Sequence, residues 1–381
     1  VSADTGELDL LRPRLAELGR EPGPADVAGE MRRLGWVVTD ESLLHTMEAL
    51  RRDATGAGPL DPLLRLPGVT DVLVNGPEHV FIDRGQGLER VATRFADDDE
   101  VRRLASRLAA RVGRRLDDSS PFVDARLPDG TRVHAVLGTL ADPGTCLSLR
   151  VPAGRRFSLQ DWVASGSLPA AGAELLRQLV ACRAAFLVSG GTGSGKTTLL
   201  ASLLSLVPAH ERLLVVEDSR ELSPDHPHCV RLEGRPVNAE GAGAVSLTDL
   251  VRQALRMRPD RVVLGEVRGA EICDLLTALN TGHEGGCGTV HANSAADVPA
   301  RLEALAALGG MLPDALHSLA AAALDAVVHI RRDGDGRRLV AGIDVLVRDG
   351  RTVRAVPAVG FGPRGLRKDE GCAALERLLA R

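Results

Sequence analysis

The residues with the clearest chemistry are Gly190-Gly191-Thr192-Gly193-Ser194-Gly195-Lys196-Thr197. This is G-x-x-x-x-G-K-T, a loop whose backbone N–H groups wrap a β-phosphate while the lysine reaches between β- and γ-phosphates. The chain has 47 Lys plus Arg but only two lysines, Lys196 and Lys368. Arginine has replaced lysine almost everywhere except here, where a wide, planar guanidinium would fit poorly between phosphates. A Gly-rich turn between strand and helix is the plain alternative, but the full spacing points to a bound nucleoside triphosphate. Thr197 is placed to offer its hydroxyl to Mg²⁺, and Thr198 follows it in the same cofactor-binding stretch.

Three further clusters lie downstream at intervals that suit successive strand ends of one sheet, where ligands gather in open α/β folds. Val215-Val216-Glu217-Asp218 ends an apolar run in two acids. Arg258-Pro259-Asp260-Arg261 precedes the strand Val262–Gly265, which delivers Glu266 and then Arg268. A carboxylate on a rigid strand beside a γ-phosphate can hold a water of the Mg²⁺ shell or orient the attacking water. Without the lysine loop, Glu266 would read as an acid favoured at a helix N-terminus. The third cluster, Thr281-Gly282-His283-Glu284-Gly285-Gly286-Cys287-Gly288-Thr289-Val290-His291-Ala292-Asn293, places two histidines around a Gly-rich loop and a short strand. Their separation is not the i, i+4 spacing of a helical zinc pair, and no third ligand is evident. A γ-phosphate sensor or hydrogen-bond relay fits better than zinc.

The elements that must hold these residues read as α/β. From Leu175 onward, short apolar strands alternate with helical patterns: strands at Ala185–Ser189, Arg212–Glu217, Val230–Leu232, Val262–Gly265 and Gly288–His291, and helices at Leu247–Met257, Glu271–Leu279, Val298–Leu308 and Pro313–Ala323. Such strands without period-two alternation imply a parallel sheet covered on both faces. A hairpin-like tail turns at Asp333-Gly334-Asp335-Gly336 and at Asp349-Gly350. Upstream, residues 58–150 suggest a smaller α/β domain. Val69–Val74 and His79–Ile82 flank an Asn75-Gly76-Pro77 turn, and Leu104, Leu108, Val112 and Leu116 predict one helix with an arginine stripe from Arg103 to Arg115. Residues 1–57 read as a helical N-terminal extension with loops at Glu21–Pro24 and Gly56–Pro59. Residues 151–172, with Pro152 and Gly154, read as a linker, and 173–381 as the nucleotide-binding domain with C-terminal helices and hairpin.

Composition narrows the function. Aromatics are only 2% of the chain and the net charge is −4, so base stacking and a global basic field are both missing, and nucleic acid is not an expected partner. No apolar run reaches the ~18 residues of a spanning helix, and nothing at the N-terminus resembles a signal peptide. The expectation is a soluble, cytoplasmic protein. The six cysteines contain no C-x-x-C pair, which argues against a disulfide framework or zinc.

Together the four clusters resemble the secretion ATPase superfamily of type II and type IV secretion and type IV pilus motors, with the strongest likeness to the CpaF-like ATPases of tight-adherence (Flp) pilus systems. Gly190–Thr197 is similar to that family's Walker A, Glu217-Asp218 to its Asp box, Leu264–Arg268 to its Walker B and Thr281–Asn293 to its His box. Gly58–Leu64, Thr70–Gly76 and Asp124–Val133 resemble its N-terminal domain. The resemblance implies a RecA-like motor domain, a homohexamer, and ATP with Mg²⁺ bound between the two domains of a subunit. It also implies an inner-membrane platform protein as partner, and a peripheral location on the inner face of the membrane. Lys196 would neutralise phosphates and Glu266 position water, with Arg268 beside it. Glu217 would assist metal or water, His291 would sense the γ-phosphate, and His283 belongs to the same box. From the N-terminal domain, Arg132 and Arg150 match best as phosphate-facing arginines, with Arg126 a weaker match. One departure is Cys287-Gly288, where relatives more often carry Ser and an aliphatic residue. A RecA-like nucleic-acid motor and a non-hydrolysing, ATP-dependent assembly scaffold remain as rivals. Nucleic-acid-stimulated turnover would favour the first, and equal slow hydrolysis by wild type and Glu266→Gln the second.

Overall fold

The computed structural model describes residues 10–11, 14–15, 22–85, 87–152, 156–235, 243–362 and 365–381. Most of the first 21 positions, including the expected loop residue Glu21, and the expected linker residue Gly154 lie outside the described residues. The chain divides into two compact units, Val1–Ala153 and Gly154–Arg381.

The first unit opens with helices α1 (Pro24–Arg33) and α2 (Asp40–Thr55). Pro24 sits at the start of α1, and the Asp26 carboxylate accepts a hydrogen bond from the Gly23 N–H, which satisfies a donor the helix itself leaves free. Leu11, Leu15, Val27 and Met31 form a small buried core there, with Trp36, Leu43 and Met47 packed against it. A short helix α3 (Asp61–Leu64) leads into strands β1 (Asp71–Asn75), β2 (Val80–Asp83) and β3 (Leu88–Arg90). Helix α4 (Asp98–Ala110) and strands β4 (Phe122–Arg126), β5 (Arg132–Val136) and β6 (Cys146–Arg150) follow. The sheet is antiparallel in the order β3-β2-β1-β6-β5-β4. Period-two alternation turns Val72, Val74, Val80, Ile82, Val133, Ala135, Leu147 and Leu149 to a buried face, where Val101, Leu104 and Leu108 of α4 join the same core. The helix predicted through Leu116 ends earlier, at Ala110: Gly113 takes φ +69°, and the Arg114 N–H donates to the Ala109 carbonyl. Leu116 is still buried, but on the returning chain rather than on the helix.

The second unit begins with a difference from expectation. Where a linker was read, Leu159–Ala164 form helix α5, capped by a reciprocal pair: the Ser158 hydroxyl accepts from the Asp161 N–H and the Asp161 carboxylate from the Ser158 N–H. Leu159, Trp162 and Leu168 are buried in this unit's core. After α6 (Ala170–Ala181) come β7 (Phe186–Gly190), α7 (Lys196–Leu204), β8 (Leu213–Glu217), β9 (Cys229–Glu233), α8 (Leu247–Leu255), β10 (Arg261–Val267), α9 (Glu271–Leu279) and β11 (Cys287–His291). The unit closes with α10 (Val298–Ala307), α11 (Pro313–Ala323), β12 (Ala326–Arg332), β13 (Arg338–Asp349), β14 (Thr352–Gly362), β15 (Gly365–Lys368) and α12 (Cys372–Leu379).

Its strands form one sheet in the order β15-β14-β13-β12-β7-β11-β10-β8-β9. From β12 to β9 every neighbouring pair is parallel, and the hairpin strands β13 to β15 are antiparallel. Residues of β7 and β8 are buried throughout, which is why their apolar residues run without period-two alternation. Two cores cover the two faces. One gathers α5, α6, α7 and α12, and the other α8 to α11. The chain leaves β7 for the far side of the sheet, returns through β10 and β11, and then places β12 on the opposite flank of β7. The end of β7 is therefore a switch point, where the connections diverge and leave a crevice.

Candidate nucleotide site

The carboxyl ends of β7, β11, β10 and β8 share one edge of the sheet because these strands are parallel. β7 runs directly into Gly190–Gly195, and α7 starts at Lys196. Gly193 and Gly195 have φ of +67° and +100°, values that glycine adopts without strain. Gly190 is required for another reason: a Cβ there would collide with the Ile330 carbonyl beneath the loop. The loop closes on itself, with the Ser194 hydroxyl donating to the Gly191 carbonyl at 2.8 Å. Lys196 is buried, and its Nζ donates to the carbonyls of Gly190 (3.0 Å) and Gly191 (2.9 Å). Burial holds its pKa below the ordinary lysine value, aided by Arg268 and opposed by Glu266 and Glu221.

His291, at the end of β11, lies opposite Gly190 in the strand register, and both its ring nitrogens are 3.4 Å from Lys196 Nζ. Its Nε2 is 2.5 Å from Glu266 Oε1. Apart from this close contact, that buried oxygen has no hydrogen-bond partner among the described residues. Burial and the Lys196 charge push the His291 pKa down, while Glu266 pulls it up. The other Glu266 oxygen accepts from Arg268 Nε at 2.6 Å, and Arg268 also stands 3.7 Å from Asp218. Burial works against the Arg268 charge, but the Glu266 bond and the surrounding acids keep its pKa above the usual value. Lysine, histidine, glutamate, arginine and aspartate thus form one connected chain of ionisable groups at the mouth of the loop.

Glu217, the last residue of β8, is buried next to this chain. Its Oε1 accepts from the N–H groups of Glu221 (2.9 Å) and Leu222 (2.8 Å), while Oε2 is buried without a partner. Burial raises its pKa to about 7, although those two N–H bonds pull the other way. Gly265 makes the space: a Cβ there would run into the Glu217 side chain. Gly288, the departure noted in the sequence, also packs closely, since a Cβ would press on the Leu264 carbonyl 2.9 Å away. Cys287 beside it is fully desolvated and its thiol is pushed up to about 12, far from any thiolate chemistry.

Not every sequence-predicted residue joins this group. His283 bonds the Ala278 carbonyl at 3.2 Å, at the end of α9, and among the described residues it shares no hydrogen bond or ion pair with Lys196, Glu266 or His291. Arg132 and Arg150 lie in the first unit, where they face each other across β5 and β6, and Arg126 faces Arg132 across β4 and β5. Asp71 pairs with Arg150 in register, with its carboxylate 3.7 Å from the guanidinium. Three arginines thus stand side by side on one sheet, with Arg126 and Arg132 also engaged in interactions within the protein. Two residues were missed. Glu221 acts electrostatically on both Lys196 and Arg268, and its signal was the second acid four positions after Glu217. His329 is bonded to Ser189 directly before the loop, and nothing in its strand marked it.

A parallel sheet with this loop at its switch point defines a RecA-like P-loop fold. The solved structure of the pilus retraction motor PilT with bound ADP has the same fold, with a TM-score of 0.54 and 21% identity over 74% of this chain and 80% of that one. Residues 53–333 match the family described as Type II/IV secretion system protein, and the chain belongs to that family of secretion ATPases. A Mycobacterium tuberculosis protein provisionally named for conjugal transfer is 53% identical over 346 residues, covering 89% of this chain and 97% of its own. The type IV secretion system protein PtlH of Bordetella pertussis is 35% identical over 319 residues, 76% of this chain and 94% of its own.

Proposed function

We propose that this protein is a Mg²⁺-dependent ATPase subunit that works as a homohexamer against an inner-membrane platform protein, on the cytoplasmic face, to drive protein export or pilin assembly. The observation that supports it most is the contact of Lys196 and Glu266 with the same imidazole, at 3.4 and 2.5 Å. A γ-phosphate entering between them would meet a cation, a sensor and a water-orienting carboxylate at once. The names of the conjugal-transfer relative and of PtlH favour transport of macromolecules as the use of the energy. Tight-adherence pilus assembly is the subtype that the sequence motifs favour.

In this reading the incoming triphosphate displaces the Gly190 and Gly191 carbonyls as partners of Lys196. The N–H groups of Gly193–Lys196 and the N-terminus of α7 take the β-phosphate. Glu266 is held on its strand by Arg268 and positions the attacking water, while His291 passes the presence of the γ-phosphate to Glu266. The residues fit Mg²⁺: the Thr197 hydroxyl opens α7, and Glu217 offers a buried, unpartnered oxygen nearby, directly or through water. When bound, the ion would neutralise charge that develops on the phosphates. Among the described residues no three His, Cys, Asp or Glu cluster to hold a metal alone. Arg132 and Arg150 are proposed to supply further charge to the phosphates, and His283 to hold the His-box loop against α9.

The test is steady-state ATP hydrolysis across protein concentration, with mass determination in parallel, for wild type and Lys196→Ala. Mg²⁺-dependent turnover that tracks a six-subunit species and vanishes in the variant supports the motor. Nucleotide binding by a persistent monomer with no turnover would replace it with a switch.

A further inference from the structure

His329 has no part in the chain of charges around Lys196, yet it touches the strand that carries the loop. It stands opposite Ser189 in the register of β12 and β7, and its Nδ1 is 2.8 Å from the Ser189 hydroxyl. Ser189 is fully buried and is the residue directly before Gly190. The backbone of Asn293, two residues beyond His291, lies close enough to the same ring to raise its pKa as a hydrogen-bond acceptor does. An acceptor on that side is the Asn293 carbonyl, and it faces a ring N–H.

A neutral imidazole has one donor and one acceptor. With the N–H committed to Asn293, Nδ1 is left to accept the Ser189 O–H. The surroundings favour that neutral form: burial acts first, then the Arg331 and Lys196 charges, against Asp297 and the Asn293 bond. β7 lies between β12 and β11, so the ring passes over β7 and joins three strand ends. Ile330, the next residue of β12, places its carbonyl under Gly190. The floor of the loop and the turn after His291 are thus both referred to one short segment of β12.

We propose that His329 is a positioning residue, tying the entry of the phosphate loop at Ser189 to the turn after His291 so that Lys196 and His291 address the same phosphate. This inference rests on the ATPase reading above. Without the strut, β7 and β11 remain hydrogen bonded, but the loop after each strand can shift independently. Displacements of about 1 Å at that distance are costly to a water-orienting geometry and nearly neutral to phosphate binding by the loop itself.

The experiment measures ATP turnover, and separately the binding of a fluorescent ATP analogue, for the full chain and for His329→Leu, His329→Gln, Ser189→Ala and the Ser189→Ala/His329→Leu double variant. The expected result is that Leu and Ala each lower kcat by about tenfold to a hundredfold, with analogue affinity within about threefold of wild type. Gln, which can accept from Ser189 and donate to Asn293, restores most of the turnover. The double variant is no worse than His329→Leu, because both members of one link are already lost. Leu and Ala variants that turn over like wild type overturn the inference, as does a Gln variant as poor as Leu or a double variant in which the losses multiply. If His329→Leu does not fold by thermal melting, Ser189→Ala and His329→Gln decide by the same criteria. A wild-type chain that binds no nucleotide overturns the ATPase reading together with this inference.

Discussion

The two units carry their charges in opposite ways. In the second unit, Lys196 and Glu266 both contact His291, and Glu266, Arg268 and Asp218 alternate in sign along the strand ends. In the first unit, Arg126, Arg132 and Arg150 lie side by side on β4, β5 and β6, with Asp71 as the carboxylate beside Arg150. An alternating cluster is already organised without a ligand and can be complete within one unit. A like-charge row instead concentrates positive charge on one part of a sheet. In the proposed reading the second unit builds the chemistry, and Arg132 and Arg150 are proposed contributors of positive charge.

The largest break in this contrast should come from Lys196→Ala, which leaves the loop without its phosphate-facing cation. Affinity for a fluorescent ATP analogue should fall by at least about a hundredfold, since a charge-assisted contact in a buried loop is worth several kcal/mol. Glu266→Gln should behave differently. Turnover drops by about a hundred- to a thousandfold, in line with loss of a general base or water-orienting acid, while affinity stays within about threefold. Equal losses in affinity and turnover would mean that Glu266 serves binding instead.

The arginine row gives a two-part prediction. Arg132→Ala and Arg150→Ala should each cut kcat by at least about tenfold if they stabilise transition-state charge. At the same time each should change thermal stability by no more than about 1 kcal/mol, because a like-charge cross-strand neighbour is removed together with the arginine's own pairing. Falling stability with intact turnover would assign the row a structural role. Gly265→Ala tests the packing beneath the acidic cluster. The added Cβ meets Glu217, and overpacking of this kind costs about 1–3 kcal/mol in chemical denaturation.

The smallest effect is expected away from both sites, at Asp344 on β13. Burial, with Asp369 adding to it, raises its pKa to about 6. The native state therefore holds a proton that the unfolded chain has already released, and this contribution to stability is lost as pH rises from near 4 to about 6. Urea denaturation at several pH values should show wild type weakening through that window and Asp344→Asn weakening less. A parallel pair of curves would show that Asp344 does not titrate there.

Much of the second unit was legible because its strands are buried on both faces and its helices amphipathic, so Phe186–Gly190 and Leu213–Glu217 announce themselves as apolar runs. Helix α5 was not legible as part of the core. Its capping pair Ser158 and Asp161 was visible, but the surrounding Gly and Ser residues read as a linker, and only packing buries Leu159 and Trp162. Helix α4 was overextended because Leu116 kept the apolar spacing beyond Gly113, where the backbone had already turned. Glu221 could have been read from its spacing after Glu217, whereas His329 sits in a strand with no motif around it.

What the sequence by itself determined is local: a loop that only glycines can form, a lysine retained where arginine is the rule, and acids placed at the ends of apolar strands. Backbone conformation and strand burial are set by residues close in the chain, so their signatures are short and readable. Which histidine of the Gly-rich box meets Lys196, and that His329 reaches both Ser189 and Asn293, were decided by the tertiary structure. Lys196 and His291 are 95 positions apart and Ser189 and His329 are 140 apart. Such contacts depend on the order and register of parallel strands, whose long crossovers leave no periodic trace in the sequence.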